Sequence, residues 1–368
     1  MQVPFVDLPK QIAPYKEDVR GVIEDVIFNR ADFIMRDDLL AFERNFAQFV
    51  GTDFSVGVAN GSDAINLSLK ILGVGPGDEV ITVAHTFIAT IAAIVHAGAT
   101  PVLVDVDDDY NINVDLIEPA ITAKTKAIIV VHLNGRACDM DRIMGIAKKH
   151  NLFIVEDSAQ GIGAIYKGKK AGSFGDLSTN SFYPFKILGC FGDGGAITTN
   201  DPDLNYQLRC LRDNGQDRVK GDILFWGWNS RLDNLQAGIL NVLLKHLPDM
   251  IHRRRAIAAL YDQGLSGIKE VKLPPAPNDG EHFDSFQNYV IRTKQRDALV
   301  KHLSAQKIGT LISWKTPNHH HKNLGLTKFH LPNTESISQE VVSLPMHPAL
   351  SDEEIRYVID NVGRFFKR

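Results

Sequence analysis

Lys186 sits in SFYPFKILG, residues 181–189, where nearly every neighbour is apolar or small. A lysine near glycines is ordinarily solvated, and this one raises the question of what its amine is for. Four other short stretches carry chemically capable groups. NGSDA, residues 60–64, places Gly61 and Ser62 where a helix would begin. Free backbone N–H groups and the helix dipole at such a start suit a phosphate. HTF ends on Phe87, EDSAQ contains Asp157 and Gln160, and Ser181 stands five residues before the lysine.

Each of these residues has a structural alternative. Asp157 could cap a helix or turn, NGSDA is also an ordinary turn, and Phe87 could be core. The set gains force from its placement. The chain alternates strand and helix patterns through its first two thirds, as in FSVGVA then NGSDAINLSLKILG, and DEVITVA then TFIATIAAIVHAG. TPVLVDVD, TKAIIVVHL and NLFIVED extend the series, with DMDRIMGIAKKH as a helix before the last. Such alternation predicts an α/β fold, a mostly parallel sheet covered by helices on both faces. Ligands of open parallel sheets bind at the strands' carboxyl ends, and every candidate falls at one. A lysine, a carboxylate, an aromatic plate and a phosphate cradle together match the needs of pyridoxal 5′-phosphate: a Schiff-base amine, a partner for the ring nitrogen and an anion anchor.

DLSTNSFYP and GGAITTN read as two strands close in sequence. From NLQAGIL onward one long helical stretch runs to DQGL, with Pro248 expected to kink it. PPAPNDGEHFD reads as loop, SFQNYVIRT as strand, QRDALVKHLSAQ as helix, and SDEEIRYVIDNVGRFFK as a helix with a Ser capping signal. These predict a large cofactor-binding domain over residues 1–245 and a small C-terminal α+β domain over residues 246–368.

Bulk properties exclude several classes. The 368 residues carry 40 Lys and Arg against 44 Asp and Glu, a net charge of -4 that offers no field for nucleic acid or an anionic membrane. Three cysteines without CxxC spacing argue against a disulfide framework or zinc site and fit a reducing cytoplasm. No basic-then-apolar leader and no membrane-length apolar run is present, so a cytoplasmic location is expected. His319, His320 and His321 are adjacent, and three consecutive histidines on a regular element cannot all face one metal. A structural loop is the expectation there, and no metal.

The chain resembles the DegT/DnrJ/EryC1/StrS family of pyridoxal phosphate-dependent sugar aminotransferases, of fold type I. The matching stretches are FVDL, FERNFAQFVG, ANGSDAI, HTFIAT, VHLNG, VEDSAQGIGA, GSFGDLSTNSFYPFKILGCFGDGGAITTND, NSRLDNLQAGIL and VVSLPMHPALS. The resemblance implies that Lys186 binds the cofactor covalently and then moves protons. It implies that Asp157 pairs with the ring nitrogen, Gln160 touches the phenolic oxygen and Phe87 stacks on the ring. Gly61, Ser62 and Ser181 would hold the phosphate, joined by Asn229 from the neighbouring subunit of a homodimer with shared sites. Arg231 would bind an acidic group or order its loop.

The substrates so implied are L-glutamate and a nucleotide-linked ketosugar. SFYPFKILG with GDGG is similar to the family's 3-aminotransferase branch, which points to C3. The product would be an amino sugar for a surface polysaccharide, such as the O-antigen of lipopolysaccharide, or for a glycoside. Departures fall at Asn134, at Arg136 and in SWKTPNHHHKNLGL, where the sugar nucleotide would lie. Arg136, Lys315 and Arg231 would suit an acidic sugar or simply be solvated. Two other readings stay open: a ketosugar dehydratase, in which His replaces the lysine, and a non-catalytic regulatory relative.

Overall fold

The computed structural model describes residues 1–276 and 280–366. Seven strands form the central sheet: β1 (Phe54–Val58), β2 (Glu79–Val83), β3 (Thr100–Val104), β4 (Thr125–Val131), β5 (Phe153–Asp157), β6 (Leu177–Ser181) and β7 (Gly195–Thr199). Their spatial order is β1-β7-β6-β5-β4-β2-β3. The pairs β2–β3, β2–β4, β4–β5 and β5–β6 are parallel. Only β7 runs against its neighbours, β6 on one side and β1 on the other. Six strands therefore point one way, and their carboxyl ends share one edge. Apolar runs such as AIIVV in β4 are buried on both faces, because helices cover both sides.

The helices follow the expected segments. Asp37–Val50 turns its Phe42 and Phe46 inward and stops at Gly51, whose φ of 91° closes the end at no steric cost. Gly61–Ile71 starts at Asn60, whose side chain accepts from the Asp63 N–H at 2.8 Å. Met140–His150 is capped by Asp139 in the same way. At the far end of the chain, Ser351 and Glu354 form a reciprocal capping box ahead of Asp352–Phe365.

The long stretch folds as a single helix, Asn234–Leu265, that runs unbroken through Pro248. Its first half packs into a core with Phe42, Phe46 and Phe182. Its second half packs into another core with Val3, Tyr289 and Ile355. That second core includes strands β8 (Tyr289–Arg292) and β9 (Val341–Leu344), which pair antiparallel, and the helix Arg296–Ala305. The expected loop over residues 274–284 lies partly outside the described residues, and it ends in a short strand, His282–Phe283. No helix among the described residues is long and apolar enough to cross a membrane.

Candidate active site

A cavity of about 710 Å³ opens at the carboxyl edge of the sheet, within the size range of small-molecule and cofactor sites. Gly61, Ser62, Phe87, Asp157, Gln160, Ser181 and Lys186 all line it. Of the site residues expected from sequence, only Asn229 is absent from its wall.

The SFYPFKILG stretch divides its aromatics. Phe182 is fully buried and packs edge-on against Phe42 and Phe46, each at 5.2 Å between centroids. Tyr183 and Phe185 instead line the cavity. This anchoring holds the turn that carries Lys186, whose backbone N–H bonds the Tyr183 carbonyl at 2.8 Å. Gln287 clamps both sides of it: it accepts from the Ile187 N–H at 3.0 Å and donates to the Phe185 carbonyl at 2.8 Å. Burial pulls the Lys186 pKa below its usual value, and the charge of Asp157 opposes this in part. An amine so placed is deprotonated more readily and is the better nucleophile.

Asp157 ends β5 and is buried. It accepts from Thr90 Oγ1 at 2.8 Å and from the Ala159 N–H at 3.2 Å. Two donors leave lone pairs on a carboxylate with capacity for about four. Gly61 approaches β6 so closely that a Cβ there would stand 2.7 Å from Ser181 Cβ. The glycine thus lets the first N–H groups of the helix Gly61–Ile71 and the Ser181 hydroxyl converge. Phe87 is 61% exposed, which corrects the core alternative, and it lines the cavity. Gln160 Oε1 accepts from the Asn134 N–H at 3.0 Å, so its amide is held at the rim.

The unpaired amine, the unsaturated carboxylate, the exposed ring and the glycine-opened anion cradle fit pyridoxal phosphate. Asn180 adds a buried Nδ2 without a partner in the same wall.

The basic residues offered for an acidic sugar are engaged elsewhere. Arg136 pairs with Asp284 at 2.9 Å and lies outside the cavity wall. Arg231 pairs with Asp213 at 2.8 Å within this chain, which favours the loop-ordering alternative. Lys315 is exposed, 3.9 Å from Asp297. Asn229 is exposed, although its backbone bridges to Asp213.

The histidine run forms a loop with a shared acidic partner. A short turn over Asn318–His320 aims His319 and His320 at one carboxylate, Glu335, at 3.2 and 3.5 Å. His330 approaches the same oxygen at 3.6 Å.

Sequence reasoning missed Thr90, Gln287, Arg254 and His347, all in the cavity wall. His347 lies in VVSLPMHPALS, so the family match marked its stretch but gave it no role. Arg254 sits in the charged run HRRR, where periodicity alone reads as a solvated face.

The model of the DegT/DnrJ/EryC1/StrS aminotransferase family matches residues 17–363. A protein of Aneurinibacillus thermoaerophilus named dTDP-3-amino-3,6-dideoxy-alpha-D-galactopyranose transaminase is 45% identical, with 99% of each chain covered. A Geobacillus stearothermophilus protein named pleiotropic regulatory protein is 41% identical over 100% of this chain and 99% of its own. Among solved structures, S. venezuelae DesV in complex with a ketimine intermediate superposes with a TM-score of 0.95 at 40% identity, covering 100% and 99% of the two chains.

Proposed function

Because this chain belongs to the DegT/DnrJ/EryC1/StrS aminotransferase family, we propose that it moves the amino group of L-glutamate to C3 of a nucleotide-linked 3-ketosugar. The observation that carries this is the convergence of Lys186, Asp157 and the Gly61–Ser181 cradle on one cavity. Pyridoxal phosphate, the family's cofactor, supplies when bound an electron sink for the carbanion that forms at the amino-bearing carbon.

The chain's own residues do the rest. Lys186 Nζ would hold the cofactor, and its freed amine would carry a proton from one carbon to another. Its lowered pKa suits that exchange, and its tethering gives a high effective concentration. The Asp157 carboxylate would hold a proton on the ring nitrogen, and Thr90 keeps that carboxylate aimed. Gly61, Ser62 and Ser181 would hold the phosphate, Phe87 would cover a ring face, and Gln160 would meet the phenolic oxygen.

The regulatory reading draws on the Geobacillus relative's name. A purely regulatory protein would have no use for a half-buried lysine and a buried aspartate in one cavity. The dehydratase reading needs His at position 186, where this chain has Lys. An absorbance band near 410–430 nm, about where such lysine-bound cofactors absorb, followed by amine transfer from glutamate to a panel of 3-ketosugar and 4-ketosugar nucleotides, tests the proposal. A silent panel, or 4-amino products alone, would overturn it.

We also propose a homodimer with shared sites. The stretch before Asn229 exposes three large apolar side chains, Val219 at 96%, Ile223 at 74% and Trp226 at 95%, that water alone covers poorly. Asn229 itself points outside its own cavity. Mixing a Lys186→Ala chain with an Asn229→Ala chain tests this. In freely exchanged dimers about a quarter of sites escape both lesions, so activity should recover to about that fraction of wild type. No recovery above the parents would refute shared sites.

A further inference from the structure

Two buried polar side chains of the cavity wall have no use in the scheme above. Arg254 is 4% exposed and lies on the long helix. Its Nη1 donates to three carbonyls, Phe286 at 3.0 Å, Gln287 at 3.2 Å and Met346 at 2.9 Å. Its Nε is buried without a partner, and Nη2 makes no hydrogen bond among the described residues. No carboxylate among the described residues pairs with it, and burial drags its pKa down to about 10. His347 is 1% exposed, with both ring nitrogens buried and without a partner among the described residues. Burial and the neighbouring Arg254 charge push its pKa down to about 4, so it faces the cavity neutral.

Leaving a buried guanidinium and a buried imidazole unsatisfied is costly. Such groups persist where a ligand completes them. The missing partner of a guanidinium with free N–H groups is an oxyanion, a carboxylate or a phosphate. Lys186 and Arg254 are the Lys and Arg side chains that line the cavity, and Lys186 is committed to the cofactor.

Position narrows the anion further. Arg254 grips the carbonyl of Gln287, the residue whose side chain clamps both flanks of Lys186. An anion on Arg254 is therefore held by the same segment that positions the reacting amine. In a 2-amino acid the carboxylate is bonded to the carbon that loses its proton to the lysine. A neutral ketosugar carries no such group.

We propose that Arg254 and His347 form a carboxylate subsite for the α-carboxylate of the amino donor and of the 2-oxo acid it becomes. Arg254 supplies charge and N–H donors, and neutral His347 supplies one further donor. This rests on the amino-transfer reading of the site. The same chemistry could come from the carboxylate of a uronic acid on the sugar, and the test separates the two sources.

The test uses the pyridoxal phosphate-loaded protein and calorimetry, with 2-oxoglutarate as probe. That oxo acid binds this form without reacting, so affinity is read apart from turnover. UDP, dTDP and UDP-glucuronate are the comparison ligands. His347→Phe should weaken 2-oxoglutarate binding about tenfold or more and leave all three nucleotides within about twofold. Arg254→Lys, which keeps the charge but loses the fork, should weaken it further. If Arg254→Lys does not fold, His347→Phe decides alone. An unchanged 2-oxoglutarate affinity would overturn the subsite. So would an equal loss for every ligand, a loss confined to UDP-glucuronate, or wild-type protein that fails to bind the oxo acid. Wild-type protein that binds 2-oxoglutarate but transfers no amine would instead defeat the amino-transfer reading and leave the subsite standing.

Discussion

Glu156 and Asp157 are consecutive residues of β5, both buried, both acidic, and they lead opposite lives. Successive side chains of a strand face opposite sides of the sheet. Glu156 faces inward, where Gly172, Phe174 and Gly175 donate their N–H groups at 2.7 to 2.8 Å. His132 Nε2 adds a fourth contact at 2.8 Å. Because the Cys138 N–H donates to His132 Nδ1 at 3.1 Å, the imidazole proton lies on Nε2 and points at the carboxylate. Glu156 is saturated. Asp157, facing the cavity, holds two donors and has lone pairs to spare. The same functional group thus serves structure on one face and chemistry on the other. Saturation distinguishes the two roles; burial does not.

That contrast can be broken. The largest effect belongs to the site face: Lys186→Ala should abolish amine transfer and leave no cofactor that borohydride can trap. Turnover at a tenth of the wild-type rate would remove Lys186 from its role. Next, Asp157→Asn should still load cofactor yet lose at least two orders of magnitude in rate, about 3 kcal/mol in the barrier. Its unfolding free energy without cofactor should move by only about 1 kcal/mol, since Thr90 and Ala159 donate to different carboxylate oxygens and the amide gives up just one of these two acceptors. Glu156→Gln should show the reverse pattern. An amide cannot accept all four donors, so urea unfolding should report a loss of about 2–3 kcal/mol, with the surviving folded protein still turning over. Equal rate losses in the two variants would erase the distinction.

The smallest effect is a pH slope. Hydrogen bonds from His132 and the glycine amides outweigh burial and hold the Glu156 pKa below its usual value. A depressed folded pKa means the unfolded chain takes up a proton more readily. This stabilisation is therefore present above about pH 4.3, the usual Glu pKa, and is lost as pH falls through the lower folded value. Glu156→Gln should lose stability less steeply than wild type over that interval. Parallel curves would show that Glu156 is not the titrating group.

The sequence made the site face legible because its residues stand at strand ends, and alternation of strand and helix locates strand ends. Alternation brought Lys186, Asp157, Gly61 and Phe87 to one edge, where they line one cavity, while the role of each came from the family resemblance. Arg254 and His347 escaped because their roles depend on contacts across long stretches of chain. A guanidinium bonded to carbonyls of residues 286 and 346 leaves no trace in the periodicity around residue 254. The ion pairs of Arg136 and Arg231 were hidden in the same way, because a charged residue and its distant acid look, in sequence, like two solvated charges. The reversed strand β7 was legible only as a break in rhythm. Its antiparallel place between β6 and β1 follows from pairing.

The helix Asn234–Leu265 is buried against one core at its start and another at its end. At 1.5 Å per residue, 32 residues make a rod of about 48 Å shared by both. Neither core can lose its packing without exposing part of a rod the other needs, so the two should melt in one cooperative transition. Amide-hydrogen exchange would read this directly. Protection should be alike in residues 237–247 and 257–265, dipping only near position 248, where proline has no N–H to exchange and leaves one helical carbonyl unbonded.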